Sequence, residues 1–410
     1  MAPNTPSESR NAGQWLTDAI VVGCGTVAAL QIGKAAIAAP LLQAEFGLDL
    51  AAVGWMTGIF AVLGLVGGIP TGALVAEVGD RRTLLLGLAA IVAGAAIGAL
   101  SATFTMFLAS RVLEGLGLVL ISVAGPAILQ RVVSTERRDL AFSLWSCFMP
   151  AGMALAMLAG PLFTDWRPIW WSSAAIAAIF IVATNLIVEK SAKAPSPVRT
   201  TMVADALRVL RVRGPILLAL CFAFYALMFF ALFSFLPVLL IERIGVTHAT
   251  AGLLSALATT VNITGNLSAA YLLARGASRP ILIGFACLVM GISAVGIFLP
   301  ILSNVPTFLL CLLFSSAGGL IPAILISSVP IVAPSGRLVP MVVGLLTHGS
   351  YLGQVIGPVA VGGAIDGFGR SAAAVVVSIA ALFAALTAWA LRRALPKRGA
   401  EVAKTDLSTT

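Results

Sequence analysis

Charge is scarce in this chain. Of 410 residues only 10% are charged, against about 25% in a soluble globular domain. With 60% hydrophobic residues, no soluble core could hide the apolar surface, so lipid must be the solvent. There are two histidines, and the five cysteines (Cys24, Cys147, Cys221, Cys287, Cys311) form no C-x-x-C pair. They read as small apolar packing residues, with no disulfide and no metal implied. H-E-x-x-H is missing, and Gly33-Lys34 fails the phosphate-loop pattern, because Ala28 precedes it by five and Ala35 follows. ATP hydrolysis, metal catalysis and intramembrane proteolysis of the usual kinds are therefore excluded, and neither an enzyme nor a cofactor is expected.

What the chain does have is long apolar runs. A spanning helix needs about 20 apolar residues. Twelve runs qualify: 16–40, 50–72, 84–101, 104–129, 140–163, 169–188, 215–240, 250–273, 280–300, 305–331, 339–363 and 371–391. Barrel strands of about ten residues do not fit them. The expected fold is an all-α membrane protein of twelve transmembrane helices in two six-helix bundles.

The second half repeats the first. Pro40-Leu41-Leu42-Gln43-Ala44-Glu45 returns as Pro237-Val238-Leu239-Leu240-Ile241-Glu242, Gly79 as Gly276, and Gly160-Pro161 as Gly357-Pro358. Pro126-Ala127-Ile128-Leu129 returns as Pro322-Ala323-Ile324-Leu325. Duplicated helix bundles of this kind are the design of many secondary transporters, with the solute held between the halves. The expected domains are a tail at 1–14, a first bundle at 15–188, a linker at 189–214, a second bundle at 215–391 and a tail at 392–410. The first run is retained rather than cleaved as a signal peptide, since its end is duplicated at Pro237.

The net charge of +9 reports topology rather than a nucleic-acid partner. With the N-terminus inside, twenty of the 25 Lys and Arg fall in cytoplasmic segments. Three fall in outside loops (Arg167, Arg243, Arg370) and two inside helices (Lys34, Arg111). That asymmetry puts both termini in the cytoplasm. Within the linker, Met202 to Val212 is expected to form a short interfacial helix carrying Arg208 and Arg211.

Charges at membrane depth are costly and usually face a cavity or a partner. Lys34 lies ~9 Å from the outer end of the first helix and Arg111 ~10 Å into the fourth from the same side, at helical rise. Glu114 is one turn from Arg111 on the same face, so the two can pair. That pair either pins the fourth helix or binds a ligand directly. Lys34 is too deep to snorkel easily, and a cavity-facing lysine with no protein carboxylate would call for an anion. Asp18 sits near the inner end of the first helix, within reach of water.

The second half offers uncharged stripes. Thr259, Asn262 and Asn266 share a face of the eighth helix, and His348, Tyr351 and Gln354 follow one another on the eleventh. Both suit interhelical hydrogen bonding. His348 could alternatively couple a proton. Gly160-Pro161 and Gly357-Pro358 suit hinges or close packing equally well.

Gly72-Ala73-Leu74-Val75-Ala76-Glu77-Val78-Gly79-Asp80-Arg81-Arg82 resembles the loop between helices two and three of the major facilitator superfamily, G-x-L-A-D-R-x-G-R-R. Gly72, Leu74, Gly79 and Arg81 match. Ala76 stands where the family has its acidic residue, so Glu77 or Asp80 is the candidate for the inner latch that the resemblance implies. Arg111-Val112-Leu113-Glu114-Gly115-Leu116-Gly117 is similar to the fourth-helix motif R-x-x-Q-G-x-G, which implies a role for Arg111 in substrate or proton coupling. Gly115, Gly117, Pro126, Gln130-Arg131 and Leu144-Trp145-Ser146 are similar to the cyanate and nitroimidazole transporter branch, and small anions or small polar compounds are what that branch implies.

The expectation is a secondary transporter of a small anionic solute in the inner membrane, working by alternating access as a monomer. Lys34 and Arg111 form its electropositive lining, with Gln31, Tyr225 and His348 as further contacts. Glu114 and Asp18 serve coupling or orientation, and a co-transported proton is a candidate second partner. One alternative is a proton-coupled multidrug exporter centred on Glu114. Another is a non-transporting sensor or assembly factor on the same fold.

Overall fold

The computed structural model describes residues 6–133, 141, 144–145, 147–190, 202–335 and 338–394. Among them the only regular structure is helical. The first half comprises α1 (Pro6–Phe46), α2 (Leu50–Gly58), α3 (Val62–Val78), α4 (Asp80–Ala99), α5 (Phe104–Val132), α6 (Phe148–Ala159) and α7 (Trp166–Ile187). A short α8 (Met202–Leu210) follows. The second half comprises α9 (Arg213–Phe233), α10 (Leu236–Leu239), α11 (His248–Ala274), α12 (Arg279–Phe298), α13 (Asn304–Val332), α14 (Val339–Phe368) and α15 (Ser371–Leu391). Nine helices among the described residues are long and apolar enough to cross a membrane. They fall on nine of the expected runs, and α6, α11 and α14 fall on the other three.

Helix ends are set by local chemistry. Asp49, Thr103 and Thr247 accept from the backbone N–H three residues on (Ala52, Met106 and Thr250), satisfying donors that the first helical turn leaves free. Between helices the chain reverses at glycines with positive φ, which other residues rarely adopt. Gly47 (φ 63°) and Gly245 (φ 76°) are repeat equivalents, as are Gly79 (φ 97°) and Gly276 (φ 88°). The duplication is therefore preserved in backbone geometry where sequence identity has largely faded.

Two equivalents diverge. The first helix does not stop at Pro40: α1 runs through it to Phe46. Its counterpart breaks before Pro237, ending α9 at Phe233 and restarting as α10, followed by a single π turn at Leu240–Ile244. The N-terminal tail also differs from expectation, since α1 begins at Pro6. A short helix, α8, forms within the linker stretch expected to be helical. Residues 191–201 of the linker and 395–410 of the C-terminal tail lie outside the described residues, as do 140, 142, 143 and 146 of the fifth run.

Within the first half α4 packs on α5 and α7, and α1 on α5, α6 and α7. In the second, α9 packs on α13, α14 and α15, and α12 on α13 and α15. Small residues let backbones approach, as lipid-embedded helices require. A Cβ on Gly87 would lie 3.0 Å from the Gly117 carbonyl, and one on Gly94 2.8 Å from Glu114 Cγ.

The halves meet through α2 and α3 on α14, α6 on α11, and α1 on α10. Two of these contacts are exchanged copies of each other. A Cβ on Gly54 would lie 2.4 Å from the Pro358 carbonyl oxygen, and one on Gly252 2.4 Å from Pro161 Cγ. Farther along the same seam, Gly362 abuts the Leu50 carbonyl. Asp366 accepts the N–H groups of Leu50 (3.1 Å) and Ala51 (2.5 Å). These contacts gather at the end of the bundle where α1 hands over to α2.

Candidate functional site

The charges inside the helices converge. Lys34 on α1 and Arg111 and Glu114 on α5 are all fully buried. Lys34 Nζ donates to Glu114 Oε1 at 2.7 Å and to Ser173 Oγ of α7 at 3.2 Å. The Ser173 hydroxyl donates to Gln31 Oε1 (2.8 Å), and Gln31 Nε2 donates to the Val27 carbonyl (2.8 Å). Arg111 Nη1 donates to the other carboxylate oxygen of Glu114, and its Nε to the Met56 carbonyl (3.3 Å). Glu114 thus bridges two cations, one from each side.

Aromatic rings close the cluster. Lys34 Nζ stands 4.5 Å from the centre of the Trp170 ring, and the Arg111 guanidinium 4.8 Å from that of Phe60. Such contacts favour a cation once water is excluded. Trp170 is in turn held edge-on by Trp166 (5.5 Å between centroids) and packed on Phe107 (5.1 Å). Helix α4 makes room: a Cβ at Gly98 would enter the Trp170 ring at 2.6 Å.

The balance of this cluster decides its chemistry. Two cations and one carboxylate leave one positive charge in excess. Arg111 Nη2 is buried and has no hydrogen-bond partner among the described residues. A buried donor left unmade costs free energy, more so when charged. The cluster is therefore short of one acceptor and one negative charge.

Lys34 alone does not supply this deficit. The condition under which it would call for an anion, no protein carboxylate in reach, is not met, because Glu114 is bound to it. Of the other expected contacts, only Gln31 joins the cluster. Tyr225 lies buried on α9, its ring stacked on Phe222 and tilted against Phe229. His348 Nδ1 rests on the Gly344 carbonyl one turn back (2.9 Å). Asp18 is buried rather than open to water, at 3% exposure.

Some members of the uncharged stripes bond between helices, whereas Asn266, His348 and Gln354 bond within their own helix. Asn262 Nδ2 donates to the Ser315 carbonyl of α13 (3.0 Å), and Asn266 Nδ2 to Asn262 Oδ1 (3.1 Å). Thr259 Oγ1 reaches Met157 Sδ of the first half (3.5 Å). Tyr351 spans the halves, its hydroxyl 3.2 Å from Ser122 Oγ, with its ring over Gly64. Gly160 packs on Ile37 and Gly357 on the Leu227 backbone, so both Gly-Pro pairs sit in tight seams.

At the start of α4, Asp80 is buried and takes Arg131 of α5 through Nε (2.8 Å) and Nη2 (3.2 Å). Arg81 donates to the Asn185 carbonyl (2.7 Å) and side chain (3.1 Å). Both links stay inside the first half. Glu77 is exposed, and Gly72 lies within α3.

A multi-pass helical protein with a charged cluster sealed inside one half, and with a duplicated half against it, has the build of a membrane transporter rather than an enzyme. The sequence model of the Major Facilitator Superfamily matches residues 21–338, and the chain belongs to that superfamily. Its fold is similar to a bacterial homologue of the human lysosomal transporter Spinster in an inward-facing, occupied conformation. That match has a TM-score of 0.75 and 18% identity, covering 97% of this chain and all of that one. It is also similar to a D-xylose–proton symporter (TM-score 0.73, 15% identity, 92% and 97% covered). In sequence it is 26% identical over 266 residues to the 3-(3-hydroxy-phenyl)propionate transporter of Escherichia coli K12, covering 63% of this chain and 64% of that protein. It is 29% identical over 200 residues to the tetracenomycin C resistance and export protein of Streptomyces glaucescens (46% and 37% covered). The chain thus spans less than two thirds of the length of each of these sequence relatives.

Proposed function

We propose that the protein carries a small organic anion across the cytoplasmic membrane by alternating access, with twelve helices in two bundles and both termini inside. The observation that carries this reading is the uncompensated positive charge at Lys34–Glu114–Arg111, with Arg111 Nη2 unpartnered. A carboxylate arriving there supplies the missing acceptor and neutralises the excess. The named solute of the Escherichia coli relative is an aromatic carboxylate, which has the same chemistry. The contacts between halves gather at the Leu50 end, which this orientation puts on the outer side. The positive-inside pattern supports that orientation.

The test is uptake into liposomes and thermal stabilisation of the purified protein. The probes are 3-(3-hydroxyphenyl)propionate, simpler carboxylates and lipophilic cations. A ligand at a hundred times its Kd adds about 2.7 kcal/mol to apparent stability. Stabilisation by the carboxylates that weakens in Arg111→Lys, which keeps the charge but loses the fork, supports the proposal. The tetracenomycin relative favours a second reading, export of lipophilic drugs. Response to lipophilic cations alone, lost in Glu114→Gln, would replace the first reading with the second.

A further inference from the structure

A groove on the lipid-facing side of the first half is built along one face each of two helices. Arg82, Leu85, Leu86 and Ala89 on α4 line one wall, and Ile181 and Asn185 on α7 the other. Positions 82, 85, 86 and 89 are spaced by three, one and three, which is a single helical face. Ala89 lies seven residues deeper than Arg82, ~10 Å along the axis. The groove therefore has a cationic rim where the helices emerge and an apolar floor running into the bilayer.

The rim arginine is unengaged. Its neighbours are engaged: Arg81 by Asn185 through Nη2, and Arg131 by Asp80. Arg82 is exposed and, among the described residues, makes no hydrogen bond or ion pair. Long basic side chains at helix ends commonly reach for headgroup phosphates. Here the reach is joined to a shallow apolar groove directly beneath it.

We infer that this groove is a binding site for an anionic phospholipid, with its phosphodiester on the Arg82 guanidinium and one acyl chain along Leu85, Leu86, Ala89 and Ile181. A headgroup with net negative charge is preferred over a zwitterionic one, whose ammonium would stand beside the guanidinium. This site is separate from the buried cluster and independent of the solute carried.

Native mass spectrometry of the full chain from mixed micelles tests it. The probes are phosphatidylglycerol and phosphatidylcholine of matched acyl chains, with glycerol 1-phosphate as a competitor. Wild type should retain phosphatidylglycerol in preference. Arg82→Gln should weaken that retention about fivefold, the share of one basic side chain at an anionic surface. Arg275→Gln, which removes an exposed arginine from the repeat-equivalent turn, should leave retention intact. Ala89→Trp, which fills the channel with Arg82 in place, should expel the lipid. Equal retention of both lipids, or wild-type retention by Arg82→Gln or Ala89→Trp, would overturn the inference. Full competition by glycerol 1-phosphate would also overturn it, by showing a site for free phosphate.

Discussion

Replacing Glu114 by glutamine keeps the shape of the cluster and removes its one negative charge. Lys34 then loses its 2.7 Å partner and Arg111 its own, while both stay fully buried. The cluster goes from one excess positive charge to two. Breaking a buried ion pair by removing one partner costs about 3–5 kcal/mol, because the remaining charge is stranded. The control is Lys34→Met/Glu114→Gln, which returns the excess to one and fills the lysine volume with an apolar chain. It should be more stable than Glu114→Gln alone, a non-additivity expected of residues in one network. The assay is thermal unfolding of the three proteins in one detergent, followed by tryptophan fluorescence, since Trp170 lies over Lys34. A Glu114→Gln protein that melts with wild type, or a double variant less stable than the single, would refute the charge argument.

Two further outcomes follow from the seam between halves. Gly54→Leu and Gly252→Leu should each prevent closure at the Leu50 end, because even a Cβ would meet the opposite proline residue at 2.4 Å. Disulfide trapping of a Leu50→Cys/Gly362→Cys pair should then fail, whereas Gly363→Leu, where a Cβ has no neighbour within 4 Å, should trap as wild type does. Asp366→Ala should leave the Leu50 and Ala51 N–H groups uncapped, a loss of about 1 kcal/mol by analogy with a helix cap. Labelling of a cysteine at Leu50 by an impermeant maleimide should quicken accordingly, and an unchanged rate would remove Asp366 from the closure.

The parts of the architecture legible in the sequence were those with a periodic signal. Apolar length marked the helices, and the offset of Gly79 to Gly276 survives because few other residues suit that turn. Arg111 and Glu114 could be paired from spacing alone, since three residues make one helical turn. Lys34 and Glu114 are 80 residues apart. Equal depth was readable for Lys34 and Arg111, but not rotation about each helix axis, so the lysine's carboxylate partner was missed. Ser173 left no signal, as one hydroxyl among many in apolar helices. Trp166 and Trp170, one turn apart, were an available hint of an aromatic wall. Pro40 read as a helix end because proline usually breaks helices, yet neighbouring helices carry α1 through it. Asp366 lay at a run's edge, where a loop carboxylate looks ordinary.

The duplication copied the scaffold without copying the charge. The repeat sets Ala231 against Lys34, and Thr307 and Leu310 against Arg111 and Glu114. Among the described residues of the second half, no buried side chain is ionised. A transmembrane potential does work only on charge that moves through it, about 2.3 kcal/mol per elementary charge per 100 mV. Buried side-chain charge among the described residues is thus concentrated in the first half, and work done by the field on the interior would fall on the Lys34–Glu114–Arg111 cluster and on whatever charge binds there.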